Sequence, residues 1–213
     1  VLVGEERWLP YHRPPLSKAV ISGAKEPDTI QLRPEAQYQA NQVELLLHTR
    51  VDAILASERR LLLATGEALS YDVLALCTGA SPIRLPLGQG LTGVHYLRSL
   101  DDVLSIRDQL LEVRQAVIVG AGYIGLEAAA ALRQQGIDVT VLERADRVLK
   151  RVTGEHVSQY FEQLHKQHGV NIQCGVEVTA VNGQNSVESV SCADGTLYPA
   201  QLVIVGVGVA PEI

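Results

Sequence analysis

Residues 117–125 read VIVGAGYIG, an apolar run that continues into the pattern G-x-G-x-x-G. In this pattern Gly120 permits a tight turn, Gly122 lets the backbone approach a pyrophosphate, and Gly125 lets a helix pack close to the strand. The Ala-rich stretch that follows predicts a helix over residues 123–135, with the phosphates at its N-terminus. The stretch therefore predicts a dinucleotide site; the alternative is a tightly packed strand–helix turn without a ligand.

A carboxylate after the next predicted strand supports the dinucleotide interpretation. Residues 139–142 predict a strand, and Glu143 ends it at close to the spacing of about 20 residues expected for the group that binds the ribose hydroxyls. Glu143 would repel the 2′-phosphate of NADPH by up to several kcal/mol at ~4 Å. Since about 1.4 kcal/mol is tenfold in affinity, we expect NADH to be preferred over NADPH by at least about tenfold. Arg144 opposes this expectation, because an arginine can accept a 2′-phosphate.

The composition narrows the class of protein. The 213 residues are 46% hydrophobic and 20% charged, as in an ordinary globular chain, and the net charge of −6 argues against a nucleic-acid partner. No apolar run reaches the ~20 residues of a membrane span. The three cysteines, Cys77, Cys174 and Cys192, are too widely spaced to indicate a disulfide framework or a metal cluster. We therefore expect no metal site and a cytoplasmic protein.

The order of the predicted elements divides the chain in two. Residues 99–213 alternate between strands and helices, which predicts an α/β fold with a parallel sheet covered by helices. Short apolar stretches before them predict an antiparallel meander, and residues 71–77 predict a further buried strand. The whole net negative charge arises from residues 99–213. We therefore predict one domain over residues 1–98 and another over residues 99–213.

Three further motifs accompany the glycine pattern. They are YHRPPLSK at 11–18, LCTGASPIR at 76–84 and VGVGVAP at 205–211. Together, and in this order, the four motifs resemble those of the flavin-dependent ferredoxin and rubredoxin reductases, which belong to the pyridine nucleotide-disulphide oxidoreductases. The resemblance covers the whole chain. It implies an FAD/NAD(P)-binding Rossmann-like fold of two domains, in which an NAD domain (99–213) is inserted into an FAD domain (1–98) that includes the β-meander.

The resemblance also implies contacts with FAD. The residues concerned are Glu5 at the adenosine ribose, Arg13 and Lys18 beside the pyrophosphate and isoalloxazine, Val51 at the adenine, and Thr78, Gly79 and Arg84 in a second flavin-contacting turn.

For NAD the implied contacts surround the glycine motif. The residues concerned are Gly120, Gly122 and Gly125 in the motif, Tyr123, Ile124 and Glu127 at the nicotinamide, Glu143 and Arg151 at the adenosine, and Gly206, Val207 and Gly208 in the turn that returns to the flavin domain.

Lys18 and Glu127 are the two residues expected to act in catalysis. A cation at Lys18 would stabilise the negative charge of a reduced flavin. Its alternative role is that of an exposed cation in the first turn of a helix. For Glu127 the alternative is an ion pair or hydrogen bond within the second turn of its helix.

Two departures from the family pattern shape the functional expectation. The flavin domain's own G-x-G-x-x-G and its later Gly-Asp segment have no counterpart in the sequence, so we expect an internal fragment that lacks N- and C-terminal parts. There is also no cysteine pair near the predicted flavin site, which favours transfer of single electrons to an iron–sulfur acceptor, a ferredoxin or rubredoxin. The alternatives are a related NADH-dependent flavoprotein, such as an NADH oxidase or a nitrite reductase flavin module, and a non-catalytic NADH-binding or redox-sensing module.

Overall fold

The computed structural model describes residues 1–212 and divides the chain into two compact units. The first unit comprises Val1–His12 and Pro27–Thr78, and the second comprises Arg13–Glu26 together with the chain from Gly79 onward. Residues 79–98 thus pack with the second unit, although the sequence groups them with the earlier residues. The functional domains over residues 1–98 and 99–213 stay a prediction.

Short elements build the first unit. They are β1 (Leu2–Val3), α1 (Glu35–Ala40), β2 (Leu45–Leu46), β3 (Val51–Leu55), β4 (Arg60–Leu63) and β5 (Ala68–Ser70), with 3₁₀ turns at Pro27–Ile30 and Ala56–Glu58. β1 and β2 form a parallel pair, whereas β3, β4 and β5 pair antiparallel in chain order. The predicted antiparallel meander is therefore confirmed for β3, β4 and β5, whereas β2, in a stretch also predicted to belong to it, pairs parallel with β1.

A parallel sheet of five strands forms the centre of the second unit. Its strands, in spatial order, are β10 (Asn171–Cys174), β9 (Asp138–Glu143), β8 (Gln115–Val119), β14 (Leu202–Val205) and β7 (Val94–Tyr96). Every adjacent pair is parallel, as the strand–helix alternation predicts. The three residues 202–204 and the two residues 117–118 are fully buried, because both faces of these central strands are covered.

Helices and two small antiparallel sheets complete the second unit. They are a π-helical turn at Leu16–Val20, the helices α2 (Leu100–Gln109), α3 (Tyr123–Gln134) and α4 (Glu155–Gln167), the sheet of β11 (Val178–Asn182), β12 (Ser189–Cys192) and β13 (Leu197–Pro199), and the pair of β6 (Ala80–Pro82) with β15 (Val209–Pro211). α3 places small buried residues, Ala128 and Ala129, on its inner face, and small side chains allow helix and sheet to approach closely.

The buried strand predicted over residues 71–77 is wrong. The structure shows no strand there; Val73 is 89% exposed and Leu76 63% exposed, and Cys77 is exposed as well. A strand needs a neighbour to pair its N–H and C=O groups, and no described strand pairs with this segment. An apolar run alone therefore does not establish a strand.

The helices can be compared with the length and polarity that a membrane-spanning helix requires. Among residues 1–212, none of the helices combines the length and the apolar character needed to cross a bilayer.

Candidate functional site

The glycine motif forms a tight turn between β8 and α3. Gly120 has φ +104°, and a Cβ built on it would lie 2.6 Å from the carbonyl oxygen of Gly206. A Cβ on Gly125 would lie 2.1 Å from the carbonyl oxygen of Gly120. Both positions require glycine because the obstructing atoms are backbone, so these two residues bring β8, α3 and the end of β14 into close contact.

Gly122 differs from the other two glycines of the motif. It is the N-cap of α3, its φ of −80° suits any residue, and a Cβ there would have no neighbour within 4 Å. No side chain caps the helix, so the helix start offers its first backbone N–H groups to whatever approaches. Open space against a helix N-terminus fits the pyrophosphate of a dinucleotide.

The Glu143 carboxylate is fixed by backbone groups on both sides. Its Oε2 accepts a hydrogen bond from the N–H of Ala121 inside the glycine turn at 2.6 Å. Its Oε1 accepts one from the N–H of Ala145 at 2.8 Å. Each carboxylate oxygen has two lone pairs, so one on each remains for a ribose hydroxyl. The sequence predicts Glu143 at a ribose; that it also holds the glycine turn in shape was not foreseen.

The segment from residue 144 to residue 154, which we call the β9–α4 loop, lies against the same turn. The N–H of Leu149 donates to the carbonyl of Ala121 at 2.9 Å. Nη2 of Arg151 donates to the carbonyl of Val207 at 3.4 Å, in the turn that follows β14. Gly206 and Gly208 flank that carbonyl. The loop therefore reaches the carboxyl-end turns of both β8 and β14, where open α/β sheets bind their ligands.

Lys18 and Glu127, which the sequence predicts at the flavin and the nicotinamide, form an ion pair. Nζ of Lys18 lies 2.7 Å from Oε1 of Glu127, and their side chains are 51% and 30% exposed. The second carboxylate oxygen accepts a hydrogen bond from Oγ of the buried Ser17 at 2.5 Å. Consecutive residues do not face one another on an α-helix. Here they lie in a π-helical turn, a rare form that is frequently found at functional sites.

Ser17 was therefore missed as a site residue. The sequence offered one indication, its position directly before Lys18 in a motif with an otherwise rigid, proline-rich start.

Tyr123 and Ile124 occupy the exposed first turn of α3. Their exposures are 54% and 37%, high for an aromatic and a branched apolar side chain. They follow Gly122 directly, so a ligand at the helix N-terminus would cover apolar surface that is otherwise exposed to water.

The remaining predicted residues of the second unit lie on its surface. Nη1 of Arg13 donates to the carbonyl of Arg98 at 2.9 Å, and Nε of Arg98 donates to the carbonyl of Ala80 at 2.8 Å. Gly79 has φ +75°, and the guanidinium carbon of Arg84 lies 4.8 Å from the ring centre of Tyr96. Arg98 thus supports the segment next to Gly79, a role that the sequence did not indicate.

Glu5, Val51 and Thr78 belong to the first unit. Oε1 of Glu5 lies 3.4 Å from Nη1 of Arg50, and the Glu5 side chain is 70% exposed. Val51 begins β3 and pairs with Leu63. Thr78 is exposed at the end of the unit. The structure therefore describes these three residues separately from the site of the second unit, and their flavin contacts stay predictions.

The cysteines differ in exposure. Cys174 ends β10, where burial, followed by the nearby charges of Glu162 and Glu143, raises the pKa of its thiol to about 11. Cys77 is exposed. Because the thiolate is the reactive form, we expect iodoacetamide at pH 8 to label Cys77 at least about 100-fold faster than Cys174. Peptide mass spectrometry over time measures both rates, and unfolding in guanidinium should make them equal. Equal rates in the folded protein would contradict the assignment.

Within residues 1–212 the structure places no group of three or more histidine, cysteine or acidic residues that could hold a metal ion.

Comparison with known proteins matches this geometry to a family. Residues 1–213 match the family described as pyridine nucleotide-disulphide oxidoreductase. Putidaredoxin reductase from Pseudomonas putida is 42% identical over 218 residues, a match that takes in 99% of this chain and 52% of that protein. A ferredoxin–NAD(P)⁺ reductase from a Sphingomonas species is 39% identical over 214 residues, which are 100% of this chain and 52% of that protein.

The solved structures agree with the curated relatives. In the crystal structure of the covalent putidaredoxin reductase–putidaredoxin complex, the similar chain is 41% identical and gives a TM-score of 0.94. The match covers 99% of this chain and 52% of that one, so the chain spans about half the length of the relatives it matches. The glycine turn, the anchored Glu143 and these matches together show that the chain belongs to the pyridine nucleotide-disulphide oxidoreductase family.

Proposed function

We propose that the protein is an NADH-dependent FAD oxidoreductase that delivers electrons one at a time to an iron–sulfur protein, a ferredoxin or a rubredoxin. The observation that carries this proposal is the glycine turn with its open position at Gly122 and its fixed carboxylate at Glu143. The matched relatives, named as reductases of putidaredoxin and ferredoxin, support the choice of acceptor.

The residues of the second unit suit the binding of a pyridine nucleotide. The turn from Gly120 to Gly125 would hold the pyrophosphate, and Glu143 would accept hydrogen bonds from the ribose. Tyr123 and Ile124 would cover the nicotinamide side and exclude water there. The residues of this unit would thus position the nucleotide and exclude water from its nicotinamide.

The FAD contacts that we propose for the second unit are Arg13, Lys18, Gly79 and Arg84. Glu5, Val51 and Thr78 of the first unit are separate proposals. When bound, FAD would supply chemistry that side chains lack, namely uptake of an electron pair as hydride and release of single electrons. Lys18 is a half-exposed cation whose charge would stabilise an anionic reduced state. Ser17 and Glu127 hold that cation in place.

We also propose a cytoplasmic location. The described cysteines Cys77, Cys174 and Cys192 are all free thiols, the usual state in a reducing compartment.

The function is tested by anaerobic titration of the purified flavoprotein with NADH, followed by addition of an oxidised ferredoxin or rubredoxin. Bleaching of flavin absorbance by one equivalent of NADH, and its return as the iron–sulfur protein is reduced, would support the proposal. Reoxidation by oxygen alone would instead support the NADH oxidase alternative. Nucleotide binding without bleaching would support a sensing module.

Replacing Glu127 with glutamine tests the role of the Lys18 ion pair. The amide keeps an acceptor for Ser17 but removes the charge that holds Lys18. Because hydrogen bonds to charged groups are worth more than neutral ones, we expect the rate constant of flavin reduction by NADH to fall about 10- to 100-fold. Stopped-flow absorbance measures this rate.

The matched control is Glu162→Gln. Glu162 pairs with Lys166 one turn along α4, at 2.6 Å, and its side chain is 27% exposed, close to the 30% of Glu127. Its loss should leave flavin reduction unchanged. If both variants reduce the flavin at the same rate, Glu127 has no role in the reaction.

A further inference from the structure

Arg147 supports the β9–α4 loop from within. Its Nη1 donates to the carbonyl of Thr153 at 3.0 Å and to Oγ of Ser158 at 2.5 Å, and its Nη2 donates to the carbonyl of Lys150 at 3.2 Å. Ser158 is fully buried in the first turns of α4, and its hydroxyl donates to the carbonyl of Val148 at 2.6 Å. One guanidinium and one buried hydroxyl thus tie the loop to itself and to the helix that follows.

The loop contains a strained bend that these bonds surround. Leu149 has φ +54°, a left-handed conformation that a branched, buried side chain rarely adopts. Its N–H donates to Ala121 of the glycine turn at 2.9 Å. Its carbonyl accepts hydrogen bonds from the N–H groups of Val152 at 2.9 Å and Thr153 at 3.0 Å. Such a conformation persists only where neighbouring bonds over-determine it, and here it fixes the loop against the glycine turn.

We propose that Arg147 is a positioning residue for the adenosine half of the nucleotide, which it serves by holding the β9–α4 loop in its binding shape. The proposal rests on the proposed NADH binding. The loop carries Arg144, directly after Glu143, and Arg151, whose Nη2 is 3.4 Å from the carbonyl of Val207. Both arginines are exposed, so their positions depend on the backbone that Arg147 holds.

Holding the β9–α4 loop at position 147 requires an arginine and not merely a positive charge. A guanidinium presents several N–H groups in a fixed plane, which suits three acceptors from different parts of one loop. A lysine ammonium keeps the charge but not the planar fork. A loop that is ordered before binding loses less conformational entropy when the ligand arrives, so loss of the fork should appear as lost affinity.

Arg147→Lys tests the proposal on the complete protein. ADP-ribose, which carries the adenosine half and the pyrophosphate but no nicotinamide, is titrated by calorimetry, and its dissociation constant should rise about tenfold. The ratio of kcat/KM for NADH to that for reduced nicotinamide mononucleotide, which lacks the adenosine half, should fall by about the same factor. A general loss of stability would lower both kcat/KM values and leave their ratio unchanged.

Two further variants make the outcome decisive. Arg133→Lys is the matched control, since Arg133 also bonds to a carbonyl, that of Ile137 at 3.2 Å, and to Asp138 at 2.9 Å, but at the opposite end of α3. Arg133→Lys should change neither the dissociation constant of ADP-ribose nor the ratio of the two kcat/KM values. Ser158→Ala removes one hydrogen-bond acceptor of the Arg147 guanidinium and should also weaken ADP-ribose binding. This variant provides the test if Arg147→Lys does not fold.

Unchanged ADP-ribose affinity in both Arg147→Lys and Ser158→Ala, or an unchanged ratio of kcat/KM for NADH to that for the reduced mononucleotide in Arg147→Lys, would overturn the role of Arg147. Failure of the unmutated protein to bind ADP-ribose and NADH would overturn the proposed function as well. The two failures are therefore distinguishable.

Discussion

NADH binding is expected to weaken about 100-fold when Gly122 is replaced with alanine, while the fold stays intact. The φ of −80° at Gly122 suits alanine, and a Cβ there meets no atom within 4 Å. The cost to folding is therefore limited to the exchange of one helix N-cap for a poorer one, at most about 1 kcal/mol. The cost to binding is larger because the new methyl group occupies the space through which the backbone approaches the pyrophosphate.

Gly154→Ala is a close control for this substitution. Gly154 is the N-cap of α4, has a φ of −73°, and likewise has nothing within 4 Å of a built Cβ. Both variants should lose the same small amount of thermal stability in calorimetry. Titration with NADH should then separate them, with only the Gly122 variant losing affinity. If the two variants bind NADH equally well, the pyrophosphate does not lie against the start of α3.

Gly125→Ala, unlike Gly122→Ala and Gly154→Ala, should disturb the fold itself. A Cβ at Gly125 would lie 2.1 Å from a backbone oxygen, so that variant cannot form the turn without moving α3. The same motif thus contains two glycines required for packing and one, Gly122, that we propose is required for the ligand.

Local features of this turn could be predicted from the sequence. The apolar strand, the glycine pattern and the Ala-rich helix are neighbours along the chain, so their order alone indicates β8 followed by α3. The spacing to Glu143 then predicts a carboxylate at the end of β9, and the structure places it there.

Features that depend on distant parts of the chain could not be predicted in this way. Residues 71–77 have the composition of a strand, but whether a strand forms is decided by a neighbour that composition does not reveal. Ser17 contacts Glu127, 110 residues away, and nothing local to Ser17 indicates its partner. Arg147 likewise reads as one more exposed charge until the carbonyl groups around it are seen.

Glu143→Gln is expected to raise the dissociation constant of NADH about 10- to 100-fold without improving that of NADPH. Both carboxylate oxygens of Glu143 accept backbone N–H groups, from Ala121 at 2.6 Å and Ala145 at 2.8 Å. Glutamine offers one acceptor and one NH₂ donor, so whichever way its amide turns, a donor faces a donor. The glycine turn or the start of the β9–α4 loop must then shift.

Charge alone would lead to a different expectation for this variant. If Glu143 acted only by repelling a 2′-phosphate, its neutralisation would let NADPH approach the NADH affinity, with Arg144 as a ready partner for the phosphate. The observed hydrogen bonds make the carboxylate part of the turn at which we propose that the nucleotide binds. We therefore expect nucleotide selectivity to be coupled to the geometry of the turn, and removal of the charge to lower affinity for NADH more than it relieves repulsion of NADPH.

Parallel calorimetric titrations of NADH and NADPH distinguish the two accounts. The unmutated protein should prefer NADH by at least about tenfold, and Glu143→Gln should narrow this preference through weaker NADH binding. Glu162→Gln, which removes an acidic charge paired with Lys166 on α4, should leave both dissociation constants unchanged. A Glu143 variant that binds NADPH more tightly than the unmutated protein does would show that repulsion, and not the shape of the turn, sets the selectivity.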